Sequence, residues 1–277
     1  MVHQTPGMRD WLRIIRRGLP LVVLVFGGFL VLLLIRLIER PLCALRRPVT
    51  PYVTQFVCRN AFALMGITYR MQGRPMKGAG AVVANHASWL DIFALNARKR
   101  IYFVSKSEVA AWPGIGWLAR ATGTVFIRRD RRDTLSQINL FRDRLQAGHK
   151  LLFFPEGTST DGLQVLPFKP TLFAAFFDPA LRDILQIQPV TLRYTAPKGA
   201  DPRFYGWWGD MGFGPHLLAI LAAKRQGEVC VTYHPPVNVR DFADRKALAR
   251  VLEDRVRAGL MTKGGAAPLS PPEYLQK

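Results

Sequence analysis

An unbroken run of uncharged residues, GLPLVVLVFGGFLVLLLI, fills positions 18–35. No other feature restricts the chain as much. About 18 residues is the lower limit of what crosses a hydrocarbon layer, and the run lacks the polar stripe that a surface helix of a water-soluble domain presents to solvent. The expectation is a membrane helix retained in the mature chain. A cleaved signal peptide is the competing reading, but the run is longer than a signal's apolar core and no small-residue cleavage site precedes Arg36. Arg9, Arg13, Arg16 and Arg17 precede it, and Arg36, Arg40, Arg46 and Arg47 follow it. With both flanks basic, the preference of positive loops for one side sets no orientation, and an in-plane seat fits as well as a crossing one. Beyond Pro48, TPYVTQFVCRNAFALMGITY reads as a second, shorter apolar helix ending near Gly66, either in the membrane interface or packed on the rest of the chain.

The chain carries 39 Lys and Arg against 19 Asp and Glu, a formal charge of +20, so its partner surface is anionic. Charge alone does not separate nucleic acid from lipid; the apolar run selects an anionic membrane and argues against nucleic acid. Cys43, Cys58 and Cys230 are odd in number and far apart, which gives no disulfide framework and no zinc spacing. A reducing compartment and no metal are expected.

Downstream the apolar period alternates between two and 3.6, an α/β pattern. Strands are expected at 67–71, 81–84, 101–104, 124–128, 151–154, 187–193 and 228–233. Helices are expected at 134–147, with Asp133 as cap and Gly148 as stop, and at 244–260. The organisation read from this is membrane-anchoring helices over 1–66, one α/β domain over 67–262 and a flexible tail over 263–277.

Within the second expected strand and its exit, AVVANHASWLDIFAL, an acid follows His86 at an interval of five, Asp91. Helical neighbours are three and four apart, so these two side chains meet only across a bend. The residues Ser88 to Asp91 have a capping-box form that starts a helix at Ser88, leaving His86 on the strand-to-helix turn. There a carboxylate can hold one imidazole nitrogen and leave the other to accept a proton. The interval alone arises easily by accident, and Asp91 read in isolation is equally a helix-cap acid.

Three further blocks follow in order: GTVFIRR at 123–129, FFPEGTSTDG at 153–162 and IQPVTLRY at 187–194. With the Asn85–His86 block they resemble the glycerolipid acyltransferase family, the lysophosphatidic acid acyltransferases and their relatives, over roughly residues 71–237. The resemblance implies a mixed sheet flanked by helices. It also implies transfer of a fatty acyl chain to the hydroxyl of a lysolipid, with an acyl carrier protein or coenzyme A thioester as co-substrate and no other cofactor. His86 takes the place of the family's base and Asp91 of its orienting acid. Arg128 matches the arginine that holds the acceptor's anionic head. Glu156, Gly157 and Thr158 match the block that binds or positions the acceptor, and Lys106 and Lys169 match lysines near the substrate phosphates. No serine or cysteine nucleophile with a matching base appears, and G-x-S-x-G is absent, which disfavours an acyl-enzyme. Because both donors are made in the cytosol, the resemblance places the catalytic domain on the cytosolic face of the inner membrane.

One departure narrows the acceptor. Many relatives carry an arginine after Phe-Pro-Glu-Gly-Thr, where this chain has Ser159. The GTSTDG form, with WWGDM at 207–211 and PHLL at 215–218, looks like the bacterial branch that acylates lyso-ornithine lipid, some members of which accept lysophosphatidic acid. The aromatics Phe204, Tyr205, Trp207 and Trp208 line an acyl tunnel, sit at the lipid interface or simply pack. GIGWLA at 114–119 follows Trp112-Pro113 rather than a strand and is no dinucleotide fingerprint. His149, His216 and His234 lack ligand spacing and read as surface or core residues. Two other functions share the sequence features: a basic membrane-tethered scaffold without catalysis, and a hydrolase using His86 to activate water.

Overall fold

The computed structural model describes residues 7–127 and 134–262. Arg128 and Asp133, and the tail from 263 onward, lie outside the described residues. The strands are β1 (Thr68–Gly73), β2 (Gly80–Ala84), β3 (Tyr102–Lys106), β4 (Val125–Ile127), β5 (Lys150–Phe153), β6 (Gln186–Thr195), β7 (Glu228–Tyr233) and β8 (Val237–Asn238). The helices are α1 (Met8–Cys43), α2 (Thr50–Met65), α3 (Leu90–Asn96), α4 (Ile115–Thr122), α5 (Thr134–Gln146), α6 (Pro179–Arg182), α7 (Phe213–Ala222) and α8 (Arg245–Met261).

One eight-stranded sheet runs β1-β7-β6-β2-β5-β3-β4, with β8 also paired to β6. The β6-β2-β5-β3-β4 part is parallel, and β7 joins β6 antiparallel. This is the mixed sheet flanked by helices that the sequence led one to expect. Central β2, GAVVA, is buried at every position, as a strand covered on both faces must be. Its side chains alternate between two cores: Val82 and Ala84 join Phe62, Leu90 and Leu221 on one face, and Ala81 and Val83 join Phe141, Phe173 and Leu252 on the other. Pro189 sits inside β6 at a place that tolerates it. Its carbonyl accepts from His234 N on the edge where β6 changes partner from β8 to β7, so the missing N–H faces a gap in the ladder.

The apolar run belongs to a longer helix. α1 has 36 residues, roughly 54 Å at 1.5 Å per residue, and is long and apolar enough to cross a membrane. It forms a hairpin with α2, whose free N-terminal donors are capped by a side chain of α1: Glu39 accepts from Val49 N at 2.8 Å, Thr50 N at 3.2 Å and Thr50 Oγ1 at 2.7 Å. Gly66 ends α2 in the left-handed region at φ 77°. The start of α1 is fastened to the C-terminus of α7. Arg17 donates to Leu221 O (2.8 Å) and Ala223 O (2.6 Å), and Arg13 Nε to Ala222 O (2.6 Å). These are the free carbonyls at the C-terminus of α7, where cations are favoured. Past α1, Arg47 donates to Ala121 O in the last turn of α4. Along α1, residues such as Leu12, Leu19, Val23, Leu30, Leu37 and Leu42 remain exposed.

Several elements differ from the sequence expectation. The third helix begins at Leu90 rather than Ser88. The acid half of the expected capping box forms, Asp91 accepting from Ser88 N, but Ser88 Oγ accepts from Leu90 N instead of Asp91 N. Helices α4 and α7 and the 3-10 segment Pro170–Phe177 have no counterpart in the periodicity. Gly114 and Gly116 mask the first, and Gly212, Gly214 and Pro215 mask the second, because such residues read as turn signals. β8 is too short to carry a pattern. Asp244 caps α8, accepting from Lys246 N and Ala247 N.

Candidate active site at the end of the central strand

β2 leaves the sheet at Ala84, and the next residue replaces the backbone ladder with a side chain. Asn85 Nδ2 donates to Leu192 O at 2.9 Å and its Oδ1 accepts from Leu192 N at 2.8 Å. The amide thereby continues the pairing with β6 while the main chain turns, and that turn brings His86 to the C-terminal edge of the sheet.

Block three grips the His86 backbone from both sides. Its N–H donates to Glu156 Oε1 at 2.7 Å, and its carbonyl accepts from Thr160 N at 2.9 Å and Thr160 Oγ1 at 3.2 Å. The ring stacks on Phe154 at 4.0 Å between centroids. His86 Nδ1 lies 2.7 Å from Asp91 Oδ2. The same oxygen accepts from Ala87 N (2.8 Å) and Ser88 N (3.0 Å), and Oδ1 accepts from Tyr194 Oη at 2.7 Å. A carboxylate acceptor puts the proton on Nδ1 and the lone pair on Nε2. Asp91 has no exposed surface, whereas the His86 side chain is 21% exposed, and among the described residues Nε2 has no partner. The arrangement suits a base for a proton arriving from the solvent side.

Glu156 is 1% exposed, and both of its oxygens accept backbone N–H groups, from His86 and from Leu166 (2.7 Å). Burial pushes its carboxyl up to about 7 against the pull of those two bonds. As it stands, Glu156 braces the turn that presents His86. Gly157 has φ 78°, and a Cβ there would meet Lys169 Nζ at 2.8 Å, so Lys169 folds over this turn and glycine keeps it close. Thr158 is exposed beside it, and Lys106, also exposed, ends β3. Lys106 pairs in register with Ile127, the residue before Arg128. His86, Glu156, Gly157, Thr158 and Lys106 thus all follow or end parallel strands at one edge of the sheet.

The aromatic segment after β6 is wired to the same turn. Trp207 N donates to Ala87 O at 2.8 Å, and Tyr205 is buried with its hydroxyl donating to Gln226 Oε1 and accepting from Gly227 N. Trp89 Nε1 donates to His216 Nδ1 at 2.9 Å. His216, His149 and His234 are all buried, which takes the core alternative of the sequence reading. Among the described residues no group of three or more His, Cys, Asp or Glu comes together to hold a metal ion.

Sequence reasoning missed two residues of this site, Asn85 and Tyr194. Both stand inside the quoted blocks, Asn85 beside His86 and Tyr194 at the end of IQPVTLRY, but no local spacing relates either to its partner about a hundred positions away.

A family model described as Acyltransferase matches residues 67–193. The chain is 58% identical to a lyso-ornithine lipid O-acyltransferase of Rhodobacter capsulatus, over 90% of this chain and 90% of that protein. It is 34% identical to the Pseudomonas aeruginosa protein of the same name, over 93% and 96% of the two chains. The crystal structure of the 1-acyl-sn-glycerophosphate acyltransferase from Thermotoga maritima superposes with a TM-score of 0.63 at 22% identity, covering 91% of this chain and 95% of that one, a likeness of fold.

Proposed function

Since the chain belongs to the acyltransferase family and is similar over nearly its whole length to lyso-ornithine lipid O-acyltransferases, we propose that it is a membrane-associated O-acyltransferase. Its acceptor is a lysolipid, foremost lyso-ornithine lipid and secondarily 1-acylglycerol-3-phosphate. His86 Nε2 takes the proton of the acceptor hydroxyl as that oxygen attacks the thioester carbonyl. The C–O bond forms, the C–S bond breaks, and the proton passes from the imidazolium to the departing thiolate of acyl carrier protein or coenzyme A, which leaves as the thiol. Asp91 holds the ring and balances its positive charge during the transfer. Arg128, with Lys106 and Lys169, takes the anionic groups of the substrates, while Gly157 and Thr158 border the acceptor and Glu156 acts through the turn it braces. Ser159, neutral where many relatives carry an arginine, weakens the case for a phosphate-headed acceptor beside the ornithine one.

Residues 1–66 are the membrane seat and 67–262 carry the chemistry, on the cytosolic face of the inner membrane. The bonds from Arg13, Arg17 and Arg47 tie both ends of α1 to the same sheet domain, which supports α1 lying along one leaflet rather than crossing. Its exposed apolar side, together with Tyr52, Phe56 and Trp117, faces the lipid.

The observation that carries this reading is the His86 ring held at Nδ1 by a buried carboxylate with Nε2 left over. It is tested with purified protein, labelled acyl carrier protein and acyl-coenzyme A thioesters, and lyso-ornithine lipid and lysophosphatidic acid offered side by side. Wild type yields acylated lipid, and His86→Ala loses roughly 10²–10⁴ of the rate while staying on membranes. Retained turnover by that variant removes His86 as base. Free fatty acid without acylated lipid marks a hydrolase, and binding without transfer marks a scaffold.

A further inference from the structure

Tyr194 sits at the end of β6, 8% exposed, and its hydroxyl reaches the one oxygen of Asp91 that His86 does not use, at 2.7 Å. The two halves of the carboxylate have different company. Oδ2 gathers the imidazole and two backbone N–H groups from the Ala87–Ser88 turn, all local in sequence. Oδ1 has the phenol, which comes from 103 residues further along the chain. The ring of Tyr194 packs on Tyr205 at 5.7 Å between centroids, and Tyr205 is itself fastened to Gln226 and Gly227. Burial and the neighbouring Asp91 charge raise the Tyr194 hydroxyl well above the usual tyrosine range, so it stays a donor at every working pH.

We propose that Tyr194 is a positioning residue for the transfer reaction, acting through Asp91 by fixing the plane of the carboxylate and drawing part of its charge away from the oxygen that faces His86. This rests on the reading of His86 and Asp91 as base and orienting acid. A carboxylate with no exposed surface needs donors on both oxygens, and here the tyrosine is the donor the local turn does not supply. It also sets how readily the pair takes up a proton. Among the described residues, the titratable groups facing the pair are Glu156, raised to about 7 and hydrogen-bonded to His86 N, and the phenols Tyr69 and Tyr205 beside Tyr194. Each donor to a carboxylate stabilises its charged form, so removing the Tyr194 donor raises the proton affinity of this set as a unit. A base that protonates more readily is idle over a wider acidic range. Rotation of the carboxylate would also let the imidazole swing, which lowers turnover without touching either substrate.

The test is the pH dependence of kcat/KM in the full-length protein. Tyr194→Phe keeps the ring and its packing on Tyr205 and deletes only the donor. The expected result is a kcat lowered roughly tenfold, in line with one lost hydrogen bond to a charged group, with KM for donor and acceptor unchanged and the acidic limb displaced to higher pH. Tyr194→3-fluorotyrosine, a stronger donor of the same shape, displaces that limb to lower pH. Opposite displacements by the two substitutions establish the role. A limb that stays at the wild-type pH in both variants overturns it and leaves Tyr194 as packing alone. If Tyr194→Phe does not fold, the fluorinated protein decides by itself: a downward displacement upholds the proposal and none refutes it. The two readings fail separately, because a His86→Ala variant that still turns over removes the base, whereas an inactive His86→Ala with unmoved limbs in both tyrosine variants removes Tyr194 only.

Discussion

Among single side chains, the carboxylates carry the site although neither meets solvent. Asp91 holds the imidazole ring, and Glu156 holds the backbone of the residue that bears it. Sequence resemblance pointed to Glu156 as a residue that binds or positions the acceptor; in the structure its two oxygens accept from His86 N and Leu166 N, a role toward the protein's own backbone that the resemblance did not name. Glu156→Gln tests this. The amide keeps one acceptor and turns an NH₂ toward the other N–H, which removes one bond and sets two donors face to face. The expected loss is about 1–3 kcal/mol, seen in calorimetry as a melting temperature lower by several degrees. Activity falls as well, through kcat, because the peptide that carries His86 loses its anchor. Nothing local in the sequence could have assigned this role, since Leu166 and His86 lie on either side of Glu156, one of them 70 positions away.

The elements around the site meet through their ends. Arg13 and Arg17 read in the sequence only as part of a basic flank of the apolar run; in the structure they cap α7 by donating to Leu221, Ala222 and Ala223. The sequence could not show this because α7 itself was hidden behind glycines and a proline. Capping a helix C-terminus with a buried guanidinium combines charge-assisted bonds with the helix dipole. Arg17→Ala removes the donor from two carbonyls, buried Leu221 O and part-buried Ala223 O, for an expected loss of roughly 2–4 kcal/mol. Amide exchange checks where that loss falls: protection of α1 near residues 8–17 and of α7 is expected to drop, while α8 on the other face of the sheet keeps its own. Uniformly faster exchange would mean that α1 is no separate unit.

The whole molecule combines buried ionisable groups whose effects on stability oppose each other. His149 and His234 are buried and pushed down to about 4, mainly by burial. Their contribution is present above the unfolded value near 6.5 and is lost as pH falls toward 4, about 3 kcal/mol each. Glu156, raised to about 7, works the other way, stabilising below its unfolded value near 4.5 and losing about 3 kcal/mol as pH rises through 7. Two histidines outweigh one glutamate, so the melting temperature is expected to fall between pH 6.5 and pH 4, and scanning calorimetry across that range checks it. What the sequence by itself determined was what repeats or clusters along the chain: the apolar run, the strand pattern, the blocks around His86 and Glu156, and the bend across which His86 and Asp91 could meet. These signals are local because periodicity and turn chemistry act over a few residues. What only the tertiary structure decided was who satisfies the buried polar groups those local elements create. Asp91 finds Tyr194, the strand end finds Asn85 and Leu192, and α7 finds Arg17, each over about a hundred residues or more. A buried donor or acceptor must be paired, but only the packing of the sheet against its helices brings the partner within reach.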